Sequence, residues 1–151
     1  MGQELAAHLR DATGDAPAFS VEVEGAAQDL HPILRDEIYR IASEALRNAF
    51  QHSQARGIEV EIRYDPRQLR VRLRDDGIGI DADVLRQEGR EGHFGFRGMR
   101  ERAKSIGGKL EIWSEQGAGT EVELIVPASV VYAGQAGRRS WLFRSKVGTN
   151  S

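Results

Sequence analysis

A polar stripe runs through the most strongly helical stretch of this 151-residue chain: Arg40, Glu44, Asn48 and His52 recur every fourth residue within LHPILRDEIYRIASEALRNAFQHSQA, from Leu30 to Ala55. Residues four apart stack on one helical face. The apolar residues around them, Ile38, Ile41, Ala45, Leu46 and Ala49 among them, cover more than the ~100° of arc a surface helix needs, so part of the stripe borders the interior. A carboxylate and an amide at a buried edge imply a ligand or an ion. A hard cation such as Mg2+ takes oxygen ligands, and the Asn48 carbonyl with Glu44 one turn earlier supplies a ligand and an acceptor for bound water. Three more segments carry matching chemistry. DDGIG, Asp75 to Gly79, sends a carboxylate from a strand end into a glycine turn, where it can accept a hydrogen bond from an exocyclic amine such as adenine's while the backbone approaches the ring closely. GHFGFRGM, Gly92 to Met99, runs Gly92, Gly95 and Gly98 into a helix start, which offers backbone N–H groups to phosphate oxygens. GAGT, Gly117 to Thr120, is the last hairpin turn. Each is weak alone: Asp75-Asp76-Gly77 by itself reads as a turn, and the uneven glycines with no strand just ahead of them are not the dinucleotide fingerprint.

The elements that must position these residues follow from periodicity. Gln3 to Ala12 reads as a short helix ended by Thr13-Gly14-Asp15 and Pro17. Phe19 to Glu24 alternates apolar and acidic, as a half-buried strand does. The long helix over Leu30 to Ala55 tolerates Pro32 in its first turn and has Asp29 available as a cap. Gly57 to Tyr64 and Gln68 to Arg74 alternate about an Asp65-Pro66-Arg67 turn, which predicts an antiparallel hairpin. Asp75 to Gly95 is a long loop of the functional or mobile kind, with a short helical turn expected around Asp81 to Gln87. Phe96 to Ile106 is helical and stops at Gly107-Gly108. Lys109 to Glu115 and Thr120 to Val126 form a second hairpin, stopped by Pro127. After Ala128 the pattern fades, and the basic and aromatic residues Arg138, Arg139, Trp141, Phe143, Arg144 and Lys146 read as a frayed extension. The order β-α-β-β-loop-α-β-β predicts an α+β domain: a two-layer α/β sandwich with helices on one face of a mixed, mostly antiparallel sheet. Residues 19–127 form that domain, 1–18 the remnant of an upstream helix or linker, and 128–151 a tail.

Composition narrows the function. A formal charge of -2 with acids and bases interleaved gives no footprint for nucleic acid. The absence of cysteine excludes a disulfide scaffold and thiolate metal sites, and fits a reducing cytoplasm. No apolar run reaches the ~18 residues of a membrane span, and MGQELAAHLRDATGD lacks the apolar centre of a signal peptide, so no membrane contact is expected.

The wording EALRNAFQH, DDGIGI, GHFGFRGMRERAKSIGGKLEI and GAGTEVELIVP resembles the ATP-binding catalytic domain of bacterial two-component sensor histidine kinases of the nitrate-sensor and DesK type. These belong to the superfamily shared with DNA gyrase B, the heat-shock chaperone ATPase and MutL. The resemblance spans about residues 19 to 127 and implies a Bergerat-type ATP-binding fold with ATP and Mg2+. It implies that Asn48 holds Mg2+ and that Glu44 orients or polarises the reacting groups. It further implies that Asp75 takes the adenine amine, that Gly77, Gly79 and Ile80 shape the adenine pocket, and that Gly119 and Thr120 close it. Gly92, Gly95, Phe96, Gly98 and Met99 fall in the lid region over the phosphates, and His52 matches a frequent histidine of this subfamily. The implied partners are a histidine-containing dimerisation domain, in a homodimer, and a response regulator. Many relatives carry Lys or Arg three residues after the asparagine, whereas this chain has the neutral Gln51. Charge-assisted hydrogen bonds are about twice as strong as neutral ones, so ATP affinity is expected to be modest unless Arg97 or Arg100 supplies the charge. His8 lacks a helical hairpin around it and is not read as the phosphoacceptor; His93 is read as exposed. A serine kinase acting on an anti-sigma antagonist, a conformational ATPase and a non-catalytic nucleotide-binding module are the alternatives within the superfamily.

Overall fold

The computed structural model describes residues 18–52, 54–91 and 94–134. The helix read over Gln3 to Ala12, with His8, and Gly92, His93 and the basic tail residues lie outside them. Strand β1 (Ala18–Glu24) leads into helix α1 (Pro32–His52) and then the hairpin of β2 (Gly57–Tyr64) and β3 (Gln68–Asp75). Helices α2 (Ala82–Glu91) and α3 (Phe96–Ser105) follow, then the hairpin of β4 (Lys109–Glu115) and β5 (Gly119–Pro127), and last the short α4 (Ala128–Val131). The sheet order is β1-β2-β3-β5-β4. Its β1–β2 pair is parallel and the others antiparallel, so the fold is the mixed α/β sandwich that the element order predicts. A parallel pair needs a long crossover, and α1 is that crossover.

Alternation decides which face the helices cover. Ile58, Val60 and Ile62 of β2, Leu69, Val71 and Leu73 of β3, and Val122, Leu124 and Val126 of β5 are buried on one face. Against them pack Ile38, Ile41, Ala45 and Leu46 of α1 and Met99 and Ala103 of α3. Each large apolar side chain buried there contributes about 1.5–3 kcal/mol. The other face carries charge: Glu61 lies between Arg70 and Arg72, at 2.8 Å from Arg72, and Arg74 reaches Glu121 at 3.1 Å. The Arg70 guanidinium beside Glu61 holds that carboxyl below its ordinary value.

Three elements differ from the sequence expectation. Helix α1 is shorter than Leu30 to Ala55, because Leu30 is held in a bridge to Tyr132 and Gln54 turns to a positive φ of 53°. Helix α2 is longer than the expected turn. Asp81 caps it, its Oδ1 accepting the Asp83 N–H at 2.7 Å and its carbonyl the Leu85 N–H at 2.9 Å. Finally, the pattern fades after Ala128, yet Ala128, Val131 and Tyr132 are buried in the core. Helix α3 ends as expected: Gly108 N–H reaches the Ala103 carbonyl at 2.8 Å and Gly107 N–H the Lys104 carbonyl at 3.0 Å, the two bonds of a glycine C-cap.

Candidate functional site

Between α1 and the ends of β3 and β5 lies a cavity of about 270 Å³. That is close to the lower bound of ~300 Å³ for small-molecule sites. Its floor is made by Leu73 and Asp75 of β3 and by their register partners Val122 and Thr120 of β5. Residues two apart on a strand share a face, so the alternation that buries Leu73 also turns Asp75 inward. Ala45, Asn48, Ala49 and His52 of α1 form one wall, at the helical spacing of the polar stripe. The loop residues Ile78, Gly79 and Ile80, with Val84 of α2 and Phe94 and Phe96 ahead of and in α3, complete it. Ile78 and Val84 are large apolar side chains left exposed at its edge.

Asp75 is the buried charged residue among those described, 6% exposed. Its Oδ1 accepts the Gly77 N–H at 2.9 Å. Burial pushes its pKa up, and the N–H groups of Gly77 and Thr120 oppose that rise. The adjacent Asp76 does different work: its Oδ1 accepts the N–H groups of Arg56 at 2.9 Å and Gly57 at 3.0 Å, stitching the end of β3 to the start of β2. The Gly57 bond is the main cause that holds its pKa low.

The glycines around Asp75 are set by backbone crowding. Gly79 has φ 71°, and a Cβ there would sit 2.0 Å from the Glu115 carbonyl oxygen. Gly119 has φ 104°, and its Cβ would lie 2.1 Å from the Asp75 carbonyl oxygen. Any side chain at either position would force the loop after β3 away from the β4–β5 turn, where Gly117 N–H donates to the Ile78 carbonyl at 2.7 Å.

On the opposite wall Asn48 Nδ2 donates to the Phe94 carbonyl. A carbonyl can only accept, so the amide nitrogen faces Phe94 and the Asn48 carbonyl oxygen is left as the acceptor. Phe94 stacks on Phe96 with ring centres 5.5 Å apart and meets His52 edge-on at 5.1 Å. Helix α3 starts after Gly95 with no side-chain cap and no acidic residue in its first turn. Its positive end is therefore not neutralised from within. A Cβ at Gly98 in that turn would meet nothing within 4 Å, so the space above it is open.

The remaining sequence candidates fall in different places. Glu44 does not line the cavity; it sits in the next groove, ion-paired with Arg102 of α3. Gly95 lies over it, 3.7 Å from Glu44 Oε1 to an ideal Cβ. Gly77 is buried beside Asp75, and Met99 is core, fully buried on the inner face of α3. Gln51 is exposed and outside the cavity lining. Arg97 pairs with Glu101 at 3.4 Å and Arg100 is exposed. The arginine that engages α1 is Arg102, which the sequence reading missed, and Ser114 of β4, bonded to Ile80, was missed too. Helical periodicity places Arg102 one turn after Gly98 and gives no hint of its partner.

The family model described as histidine kinase-, DNA gyrase B-, and HSP90-like ATPase matches residues 33–130. The chain is similar to the sensor histidine kinase LiaS of Bacillus subtilis (strain 168), 35% identical over 109 residues, covering 71% of this chain and 29% of that protein. It is also similar to the nitrate/nitrite sensor protein NarX of Escherichia coli (strain K12), 34% identical over 85 residues, 56% of this chain and 14% of that one. It therefore spans less than a third of these curated relatives. Among solved structures it resembles the histidine kinase domain of the Erythrobacter litoralis EL346 blue-light activated histidine kinase, with TM-score 0.65 and 30% identity, covering 85% of this chain and 61% of that one. A match over most of the described residues, at the cavity just described, shows that the chain belongs to the histidine kinase-, DNA gyrase B- and HSP90-like ATPase family.

Proposed function

We propose that this chain is the ATP-binding catalytic domain of a sensor histidine kinase, which holds Mg-ATP for transfer of the γ-phosphoryl to a histidine on a separate dimerisation domain. The observation that carries the reading is Asp75: a buried carboxylate with one oxygen on the Gly77 N–H, facing a cavity walled largely by apolar side chains. A charged group is costly to bury unless something uses it. An adenine amine uses it, and Leu73, Val122, Ala49 and Ile78 suit the flat apolar ring. The open, uncapped start of α3 at Gly95 to Gly98 suits the phosphates.

The residues present also fit Mg2+. The Asn48 carbonyl oxygen is a hard donor at the cavity wall, and Mg2+ is commonly held by one or two protein oxygens plus substrate phosphates. Bound there, the ion would neutralise phosphate charge. Phosphoryl transfer asks little covalent chemistry of the protein, so positioning is the main task of these side chains. The Arg102 pair holds the Glu44 carboxylate beside Gly95 at the start of α3, which supports a role in orienting an incoming acceptor. The acceptor histidine lies on a partner domain and a response regulator receives the phosphoryl group in turn. The sensor-kinase names of the relatives favour this over a serine kinase or a non-catalytic module. Among the described residues no helix is long and apolar enough to cross a membrane. The cytoplasm is the compartment where ATP and a response regulator would meet this domain.

Calorimetric titration of ATP with and without Mg2+, on wild type and Asn48→Ala, tests the site. The expected outcome is Mg2+-dependent ATP binding in wild type, lost in the variant, with adenosine binding intact in both. Preserved Mg2+ dependence in Asn48→Ala would sink the metal assignment. Adding a histidine-containing dimerisation domain with labelled ATP then tests the transfer itself.

A further inference from the structure

The start of α3 offers backbone N–H groups to a triphosphate, but most of the side-chain charge around it is already engaged. Arg102 is ion-paired with Glu44, Arg97 with Glu101 at 3.4 Å, and Arg40 with Glu37 at 3.8 Å. Gln51 is neutral. Arg100 is turned away from α1: Phe96, Met99 and Ala103 mark the buried face of α3, and helical spacing puts Arg100 and Arg102 on opposite flanks of that face. The flank of Arg102 is the one that meets Glu44.

Arg47 is placed differently. Arg40, Glu44, Arg47 and Gln51 recur at steps of four, three and four residues, so they share one side of α1. Arg47 is exposed, and among the described residues it has no hydrogen bond or ion pair. With Glu44 and Arg102 it lines a groove of about 380 Å³ that shares no lining residue with the base cavity. The next residue, Asn48, lines that cavity, and Gly95 at the start of α3 lies over Glu44. Arg47 therefore stands where groove and cavity adjoin, beside the end of α3 that suits phosphates. A guanidinium keeps its charge at any physiological pH and presents a fork of donors that matches phosphate oxygens. Mg2+ bridging the phosphates neutralises only part of their charge, so a further cation at the last phosphate has work to do.

We propose that Arg47 is the side-chain cation for the terminal phosphate: it reaches from α1 on the groove side and binds the γ-phosphate oxygens, the charge that Gln51 one turn further on does not bring. The inference rests on the ATP reading above. Its test compares the affinities of ATP and ADP, both with Mg2+, by calorimetry on wild type, Arg47→Gln and Arg47→Lys. ADP lacks the phosphate that Arg47 is assigned to, so Arg47→Gln should weaken ATP by about three- to tenfold, a charge-assisted bond discounted for exposure, and leave ADP near its wild-type value. Arg47→Lys keeps the charge and should retain most of the ATP preference. Arg47 is exposed and unpaired among the described residues, so its loss should leave the fold intact. Equal weakening of both nucleotides would mark a merely structural role and overturn the inference. An ATP-to-ADP ratio unchanged in Arg47→Gln would overturn it as well while leaving the ATP site standing, and would return Arg47 to a contact with the partner domain. Wild type that binds neither nucleotide would overturn the ATP reading and this inference with it.

Discussion

The two ends of β3 are finished in opposite ways. At the Gln68 end the chain closes on itself: Tyr132 is fully buried, its ring stacks on Tyr64 with centres 6.4 Å apart, and its hydroxyl is shared between the carbonyls of Asp65 at 2.9 Å and Gln68 at 3.1 Å. Ala128 N–H donates to the Arg67 carbonyl at 2.8 Å and His31 N–H to the Val131 carbonyl at 3.0 Å, so the backbone around the turn is paired there too. At the Asp75 end, seven residues along the same strand, a carboxylate is buried and its pKa is pushed up by that burial. One end is built for stability and the other keeps a polar group in an unfavourable setting. Binding sites are commonly drawn from the less stable parts of a fold, and here both kinds sit on one strand.

Substitutions at the two ends should therefore separate stability from binding. The largest effect is expected for Tyr132→Ala, which empties a large buried site and should cost about 3–5 kcal/mol in urea unfolding. ATP affinity, measured where the variant is still folded, should stay within about twofold, a range worth under ~0.5 kcal/mol; a parallel loss would mean that the two ends are coupled. Next is Asp75→Asn, which should weaken ATP by ~1.5–3 kcal/mol, about ten- to over a hundredfold. Its melting temperature should not fall. The folded pKa of Asp75 is raised, so its contribution to stability is present below the unfolded value and lost as pH rises; at neutral pH the charged form is a burden that the amide lifts. Unchanged ATP affinity would take Asp75 out of the base site.

Smallest is Tyr132→Phe, which removes only the hydroxyl and should cost ~1 kcal/mol at neutral pH. Here the sign with pH is specific. Burial pushes the Tyr132 phenol up to about 12, while in the unfolded chain it titrates near ~10. The contribution is complete below that unfolded value and is lost as pH climbs toward the folded one. Wild type should thus lose stability faster than Tyr132→Phe above that pH in urea titrations, and parallel curves would mean that the phenol is not held as described.

The comparison also explains what could be read from the sequence. The sequence singles out Asp75 as a carboxylate leaving a strand end into a glycine turn, and its inward direction is local too: Leu69, Val71 and Leu73 fix the buried face, and Asp75 continues it one step beyond the expected strand end at Arg74. Asn48 was legible for the same reason on a helix, one turn after Glu44 and on a stripe with His52. Tyr132, Arg102 and Ser114 were not. Their partners lie 67, 58 and 34 residues away in sequence, at Asp65, Glu44 and Ile80. No local period carries such pairings, which exist only once the sheet has put β4 beside β5 and the last turn beside the first hairpin. Helix α2 was read too short because its cap, Asp81, sits in a loop rich in Asp and Gly where caps and turns look alike.

The pair Asp75-Asp76 has a consequence for how the site tolerates change. Two identical letters side by side suggest redundancy, as if one could stand in when the other is lost. The fold denies it: one carboxylate faces the cavity, while the other is occupied by the Arg56 and Gly57 N–H groups and fastens the start of β2 to the end of β3. A suppressor of a lesion at Asp75 does not arise simply by recruiting its neighbour, since turning Asp76 inward would loosen the end of the β2–β3 pair beside the cavity it entered.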